Sequence, residues 1–420
     1  MKPNAWIVAV LVSAGVFVPA LAEEPAQEIA VTGTGGSIID AIVNGKPVVD
    51  VRYRFEWKEQ DGFSDDAFAN TIRTRLGYET AEFHSFSVLV EFENVAVLGA
   101  DRFNSTTNGR IAFPVIADPE ATEVNRAQVT FTGIPETELT LGRQRINLAN
   151  QRFIGAVDFR QNQQTFDAAR VHFGPFGKVS ADYIYIDRVH RIFGDDSPMG
   201  EFSSDSHALT VGADGGTIGK LTGYGLLLDL EEAPALSSAT FGVRYENRFL
   251  FGKDDQFGIS VAAEFASQSD YGGNPFGYRE SYVLGELGEN LHNFGITAGY
   301  ESLGGNGAIG FSTPLATLHK FQGFADAFLI TPVDGIRDLY GKVSYQISPA
   351  WLGAGIGLFA VYHDFRTERG SLDLGWEVDA GMTVRIKDHW SLELKGAVFD
   401  GGVTGPADRN LVWTSLRFQY

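Results

Sequence analysis

From residue 47 onward the chain repeats one pattern, runs of about ten residues in which apolar and polar side chains alternate. Val49, Val51, Tyr53, Phe55 and Trp57 are interleaved with Asp50, Arg52, Arg54 and Glu56. Ile72, Thr74, Leu76 and Tyr78 alternate with Arg73 and Arg75, and Phe86, Val88, Val90 and Phe92 with Ser87, Glu91 and Glu93. Successive side chains of a strand point to opposite faces, so each run has one uncharged face and one that carries ions. A half-buried soluble sheet alternates too. Persistence over nearly the whole chain is what separates the two cases.

The pattern predicts eighteen strands, with fifteen further runs between Val124 and Tyr420, among them His207–Asp214, Tyr282–Leu287 and Leu352–His363. The connections alternate as well. Those after even strands are short, as at Thr80-Ala81-Glu82, Gly215-Gly216-Thr217, Ser348-Pro349-Ala350 and Lys387-Asp388-His389. Those after odd strands are long: Asn94–Glu123, Asn147–Thr165, Val189–Ser206, Ser267–Ser281 and Ser302–Arg337. Turn-forming Gly, Pro and Asn fall where the short connections need them. The last run, Leu411–Tyr420, sets Val412, Thr414, Leu416, Phe418 and Tyr420 against Ser415, Arg417 and Gln419. An amphipathic final strand ending on an aromatic residue is similar to the signal by which outer-membrane barrels engage the barrel-assembly machinery. The fold class implied is all-β, one closed transmembrane antiparallel barrel over residues 47–420. Closure removes the unpaired edges that an open sheet would expose to lipid.

The start of the chain reads as a secretory signal peptide over residues 1–22: Lys2, an apolar run from Ala5 to Val18, then Ala20-Leu21-Ala22 as cleavage site. Residues 23–46, rich in Gly, Thr and Ala, form an expected periplasmic tail with a short helix at Ile38–Val43. No other stretch reaches the roughly 18 consecutive apolar residues that a spanning helix requires.

Composition narrows the chemistry. The 420 residues hold no cysteine, which excludes disulfides, thiolate metal sites and thiol catalysis. The net charge of −20 argues against nucleic acid as a partner. Forty-nine glycines with 32 Phe and 14 Tyr suit tight turns and an aromatic lipid-facing band. Gly33-Thr34-Gly35-Gly36-Ser37 lacks the lysine of a phosphate loop and reads as a linker. The eight histidines are scattered without metal-ligand spacing, and no Gly-x-Ser-x-Gly elbow occurs. The acid pairs Asp65-Asp66, Asp195-Asp196 and Asp254-Asp255 read as solvated loop carboxylates rather than calcium ligands. No cofactor, metal or catalytic residue is expected.

Several segments carry a family likeness: Gly142-Arg143-Gln144-Arg145, Asn150-Gln151-Arg152-Phe153, Arg160–Asp167, Thr313–Gly323, His363-Asp364-Phe365 and Arg369-Gly370-Ser371. Together they resemble the alginate-export family of outer-membrane porins. The resemblance implies a monomeric eighteen-stranded barrel with an arginine-rich lumen that conducts an acidic polysaccharide.

On this register Arg52, Arg54, Arg73, Arg75, Arg126, Arg170 and Arg244 face inwards, as do Lys342, Arg385, Lys395 and Arg417. Arginine grips a planar carboxylate with paired donors and stays charged at any relevant pH. Arg52, Arg54, Arg73 and Arg75 outnumber their local acids and are expected to guide anions. Arg143 and Arg145 continue the outward row of Leu139 and Leu141, so either a bulge turns them inwards or both sit above the membrane. The family likeness implies a lumen or mouth position for them. Ser302–Arg337, with Phe311, Leu318, Phe321, Phe324, Phe328 and Leu329, is too apolar for a solvated loop and is expected to fold into or over the lumen. The expectation is a Gram-negative outer-membrane channel, surrounded by lipid, for an acidic sugar or small anionic solute. A barrel enzyme acting on lipid or glycan, and a structural or adhesive barrel, are the alternatives.

Overall fold

The computed structural model describes residues 36–252, 257–349 and 355–420. The expected signal peptide, most of the tail and the Asp254-Asp255 pair lie outside these residues. Eighteen strands follow in chain order. The first nine are β1 (Lys46–Gln60), β2 (Ala67–Glu79), β3 (Phe86–Val97), β4 (Ala121–Ile134), β5 (Thr137–Gln144), β6 (Thr165–Phe176), β7 (Val179–His190), β8 (Glu201–Asp214) and β9 (Lys220–Leu228). The second nine are β10 (Ser238–Phe251), β11 (Phe257–Asp270), β12 (Arg279–Leu291), β13 (Phe294–Leu303), β14 (Ile336–Ile347), β15 (Ile356–Arg366), β16 (Asp373–Ile386), β17 (Trp390–Asp400) and β18 (Arg409–Gln419).

Each strand pairs antiparallel with the next, and β1 closes on β18 through eleven residue pairs from Asp50↔Gln419 to Gln60↔Arg409. Tyr420 extends that seam, exchanging backbone hydrogen bonds of 2.8 and 3.0 Å with Val49. The fold is therefore a closed eighteen-stranded antiparallel barrel, as the alternation predicts. Short turns gather at one end, long loops at the other. Several strands run further towards the long-loop end than expected. β8 starts at Glu201 rather than His207, because its polar start Glu201–Ser206 lies above the apolar belt and carries no hydrophobic row to read. β12 likewise starts at Arg279 rather than Tyr282, on a polar stretch at the long-loop end, and runs on to Leu291 at the short-turn end.

The outward face is apolar. Leu76, Phe86, Phe92, Leu209, Phe241, Phe265, Leu287, Leu394 and Leu416 are all exposed on it. The inward face is not uniformly polar. Towards the long-loop end Ile184, Ile186, Leu226, Tyr282, Phe365, Phe399, Leu411 and Trp413 point inwards and are buried. They are covered by the loops 145–164 and 304–335, whose Ile154, Phe159, Phe311, Leu315, Ala325 and Phe328 join the same core. Ile154 and Leu315 pair as a parallel bridge, which ties the two loops together inside the barrel. The expectation that the segment after β13 folds into the lumen holds, and the loop after β5 joins it. Loop 98–120 leans on β2 through Phe103 and Ile116, packed on Ala67 and Ala69.

Phe328 packs on Phe365 and Phe399 at centroid distances of 4.8 and 5.7 Å. Phe328→Ala is expected to weaken docking of loop 304–335 by about 3–5 kcal/mol, the usual range for emptying a buried aromatic site. Limited proteolysis should then cut within 304–335 faster while the far-ultraviolet sheet signal stays unchanged; equal cutting of both proteins would contradict the loop's role in the core.

Candidate functional site

Strand alternation turns Asp50, Arg52, Arg54, Glu56 and Lys58 of β1 inwards, next to Arg73 and Arg75 of β2. Arg52 lies directly opposite Arg73, an unfavourable like-charge pairing that needs compensation. Asp50 supplies part of it, with Arg73 at 2.6 Å, Arg417 at 2.7 Å and Arg75 at 3.8 Å. Glu93 takes the other side of Arg75. Arg54 pairs with Glu56 at 2.6 Å and Asp118 at 3.7 Å, and its guanidinium lies 3.9 Å over the Phe159 ring.

Arg52 and Arg54 also reach loop 145–164. Arg52 donates to the Asp158 carbonyl at 2.8 Å, to Gln161 Oε1 at 3.0 Å and to the Arg160 carbonyl. Arg54 donates to the Phe159 carbonyl. Val157, just before this stretch, has φ of 54°, a left-handed conformation costly for a β-branched residue. Thr317 of the other loop accepts its N–H at 3.2 Å. Arg52, Arg54, Arg73 and Arg75 are thus only 0–7% exposed. The structure places these four away from the open lumen: Arg52 and Arg54 fasten loop 145–164, while Arg73 and Arg75 pair with Asp50 and Glu93 on the wall. Loop burial changed their role, because a desolvated guanidinium is stabilised by protein partners, although Arg54 Nε, Arg73 Nε and one Nη of Arg75 are buried without a hydrogen bond.

The fastening continues between loops. Arg160 pairs with Asp326 at 3.0 Å and with Glu56 at 3.4 Å, and His319 meets Asp326 at 3.0 Å while stacking on Phe159. Arg152 reaches Glu301 of β13 at 2.8 Å, and Gln322 donates to the same carboxylate at 2.9 Å. Burial pushes the His319 imidazole below its ordinary value, with Asp326 opposing. For Asp326 burial alone would raise the pKa, but His319 and Arg160 overcome it and hold the carboxyl below the usual range. Arg152, Arg160, Asp118, His319 and Asp326 were not candidate site residues from alternation, because they sit on loops. Arg152, Arg160 and His319 do fall inside the sequence segments that carry the family likeness.

The other candidates divide. A bulge after Glu91 brings Asn125 and Arg126 to one carboxylate: Asn125 donates at 2.6 Å, Arg126 at 2.9 and 3.0 Å. Arg170 pairs with Asp182 at 2.6 Å, and Arg244 with Glu264 at 2.8 Å. Arg143 keeps the outward row of Leu139 and Leu141, bonding Asp167 at 2.9 Å and the Val124 carbonyl at 3.0 Å. It stands at the rim, the mouth rather than the lumen of the two positions that the likeness implies. Arg145 follows the end of β5 and turns the other way, into a polar recess lined by Arg126, Gln128, Glu138, Thr140, Gln144 and Arg170. Neither suggested alternative therefore covers both residues. Gly142, with φ of 114° and a Cβ position 2.3 Å from the Ala127 carbonyl, lets the strand pass close to β4 just before they diverge.

Among the described residues Arg52 and Arg145 make no ion pair, and Arg145 makes no hydrogen bond. Burial lowers the Arg145 pKa from the usual guanidinium value, and Asp158 partly offsets this. The recess is lined from β4, β5 and β6 by the guanidiniums of Arg126, Arg145 and Arg170 and the carboxylate of Glu138, with Arg126 and Arg170 already paired to Glu91 and Asp182. No group of described residues has the arrangement of a metal site.

No family model matches this sequence, and no curated protein matches it. Solved structures do match in fold. Pseudomonas aeruginosa OpdO aligns at TM-score 0.66 with 13% identity, covering 90% of this chain and 97% of its own. Acinetobacter baumannii OccAB4 and Pseudomonas aeruginosa OccK9 (OpdG) both align at 0.68 with 13% identity, covering 90% of this chain and 98% and 100% of theirs. The class this defines is the eighteen-stranded barrel of outer-membrane porin structures. Those neighbours do not carry the narrower likeness to the alginate-export family.

Arg54→Gln removes the donor to Phe159 and leaves Glu56 and Asp118 short of charge, a change of the kind that costs about 3–5 kcal/mol. It is expected to lower the thermal midpoint in detergent and to speed proteolytic cutting within loop 145–164; an unchanged midpoint and equal cutting would contradict the fastening role. The His319–Asp326 contact sets a pH dependence. Both groups have depressed folded pKa values, so their contribution is full above the unfolded His value and falls on acidification. Loop docking, read by proteolysis, should weaken between about pH 7 and 5, and His319→Gln should flatten that dependence.

Proposed function

We propose that this chain is an outer-membrane channel of a Gram-negative bacterium, for passive passage of a hydrophilic anionic solute such as a polyuronate or another acidic sugar. The observation that carries the reading is Arg145, a guanidinium with no hydrogen bond or ion pair among the described residues, in a recess beside Arg126 and Arg170 where Glu138 is the one acid of the lining. A carboxylate placed there would receive paired donors and offset the cost of an unpaired, partly buried cation. Low-dielectric walls extend the reach of such a charge along a narrow lumen. The fold of the solved porin barrels supports the channel part, and the sequence likeness to alginate-export porins supports the acidic sugar. The termini and short turns then face the periplasm and the long loops the exterior. In this passive reading the direction of flow follows the solute gradient.

The test is a planar-bilayer recording under a salt gradient. The wild-type channel is expected to prefer anions, with the preference weakening as salt screens the recess. Arg145→Gln should move the reversal potential towards that of cations and weaken block by polyuronate relative to a neutral oligosaccharide. An unchanged potential together with equal block would refute the anion reading. Absence of any conductance would favour the enzymatic or structural barrel.

A further inference from the structure

The helix α1 (Ile38–Val43) has its apolar face turned away from its own barrel. At 3.6 residues per turn, Ile38, Ile42, Ile39 and Val43 fall within an arc of roughly 140°. They are 61, 53, 68 and 73% exposed, whereas the small Ala41 is the residue buried against the barrel, at 3%. Asp40 stands on the opposite side and is held locally, its N–H donating to the Ser37 hydroxyl at 3.1 Å. A helix of a soluble domain turns such a face to the core. Here the arrangement is reversed.

Its position on the wall is well defined. Ala81 donates its N–H to the Ala41 carbonyl at 2.9 Å, and the Tyr78 hydroxyl donates to the Ile42 carbonyl. Tyr78 and Leu76 belong to the outward row of β2, so α1 lies outside the barrel wall at the short-turn end. Gly45 makes the crossing possible. A Cβ there would sit 2.4 Å from the Glu79 carbonyl oxygen and 2.6 Å from the Tyr78 ring. The uncharged face of α1 thereby continues the lipid-facing row of Leu76 and Tyr78 beyond the end of the strand.

We propose that α1 is an interfacial membrane anchor, with Ile38, Ile39, Ile42 and Val43 set into the acyl–headgroup boundary of the leaflet at the short-turn end. Continuity with the lipid-facing row selects lipid as the occupant. Amphipathic helices bind this boundary through their buried apolar area, and Tyr78 is a residue type that favours the same depth. The anchor holds the chain where it enters β1, beside the seam that Val49 and Tyr420 close.

The chain has no cysteine, so single spin labels report cleanly. Labels at Ile42→Cys, Ile38→Cys, Asp40→Cys and Leu76→Cys are compared in vesicles of phosphatidylcholine and phosphatidylglycerol, using oxygen and a water-soluble nickel chelate as relaxants. The Ile42 and Ile38 labels are expected to match Leu76, open to oxygen and closed to nickel, while the Asp40 label is open to nickel. Nickel access at Ile42 and Ile38 with a lipid-like Leu76 overturns the anchor and leaves the barrel standing. Shielding of both labels from both relaxants overturns it too, showing protein over the face. A Leu76 label exposed to nickel overturns the placement of the barrel in the bilayer, and the anchor with it.

Discussion

Hydrocarbon offers a strand no water with which to satisfy its N–H and C=O groups, so the ladder between β1 and β18 is the constraint on which the rest of the structure depends. Once it closes, every spanning strand has two partners and no edge remains. Closure also fixes two environments. Odd and even positions of a strand must then differ in chemistry, because one set meets lipid and the other meets the inside. A shift of one residue would exchange Arg52 and Arg54 with Val51 and Tyr53, placing charge in hydrocarbon. The register is therefore as strongly determined as the closure itself.

The inside of the ring is not simply water. Loops 145–164 and 304–335 enter it and make a protein core at the long-loop end, which explains why Leu411, Trp413 and Phe399 point inwards. That core alters the electrostatics of the arginines below it. In water Arg52 and Arg54 would be mobile cations. Under the loop they are desolvated, and their donors are taken by backbone carbonyls and by Glu56. Arg145 lies off the end of β5 beside this network and keeps no such partner. The two kinds of arginine, fastening and unpaired, differ in location and not in chemistry.

Acidic groups hold the second loop on the other side. Glu377 accepts the Ala325 N–H at 2.7 Å and Asp379 the Phe324 N–H at 3.3 Å, while His363 pairs with Asp338 at 2.9 Å next to them. Loop 304–335 is thus held by carboxylates of β16 and loop 145–164 by guanidiniums of β1, with Arg160–Asp326 joining the loops between them. The opposite signs of the two attachments explain how a chain with a large acidic excess can still carry a locally basic wall. Whole-chain charge is a sum over turns, loops and wall; the field in the lumen depends on which groups remain unpaired.

Period-two alternation, loop lengths and the final Tyr420 were enough to determine eighteen strands, their order and their facing, because each strand's pattern reports a local choice between lipid and interior. The short helix at Ile38–Val43 and the burial of the segment after β13 were legible as well, from local composition. The partners of the arginines were not. Arg52 meets Asp158 and Gln161 more than a hundred residues away, and no periodicity encodes such a contact. The same holds for Arg143 and Arg145, two positions apart and apparently on one row, which part because β5 ends between them. Sequence determined which side chains face inwards; only the folded loops decided which of those are buried and paired, since desolvation depends on what the rest of the chain places over them.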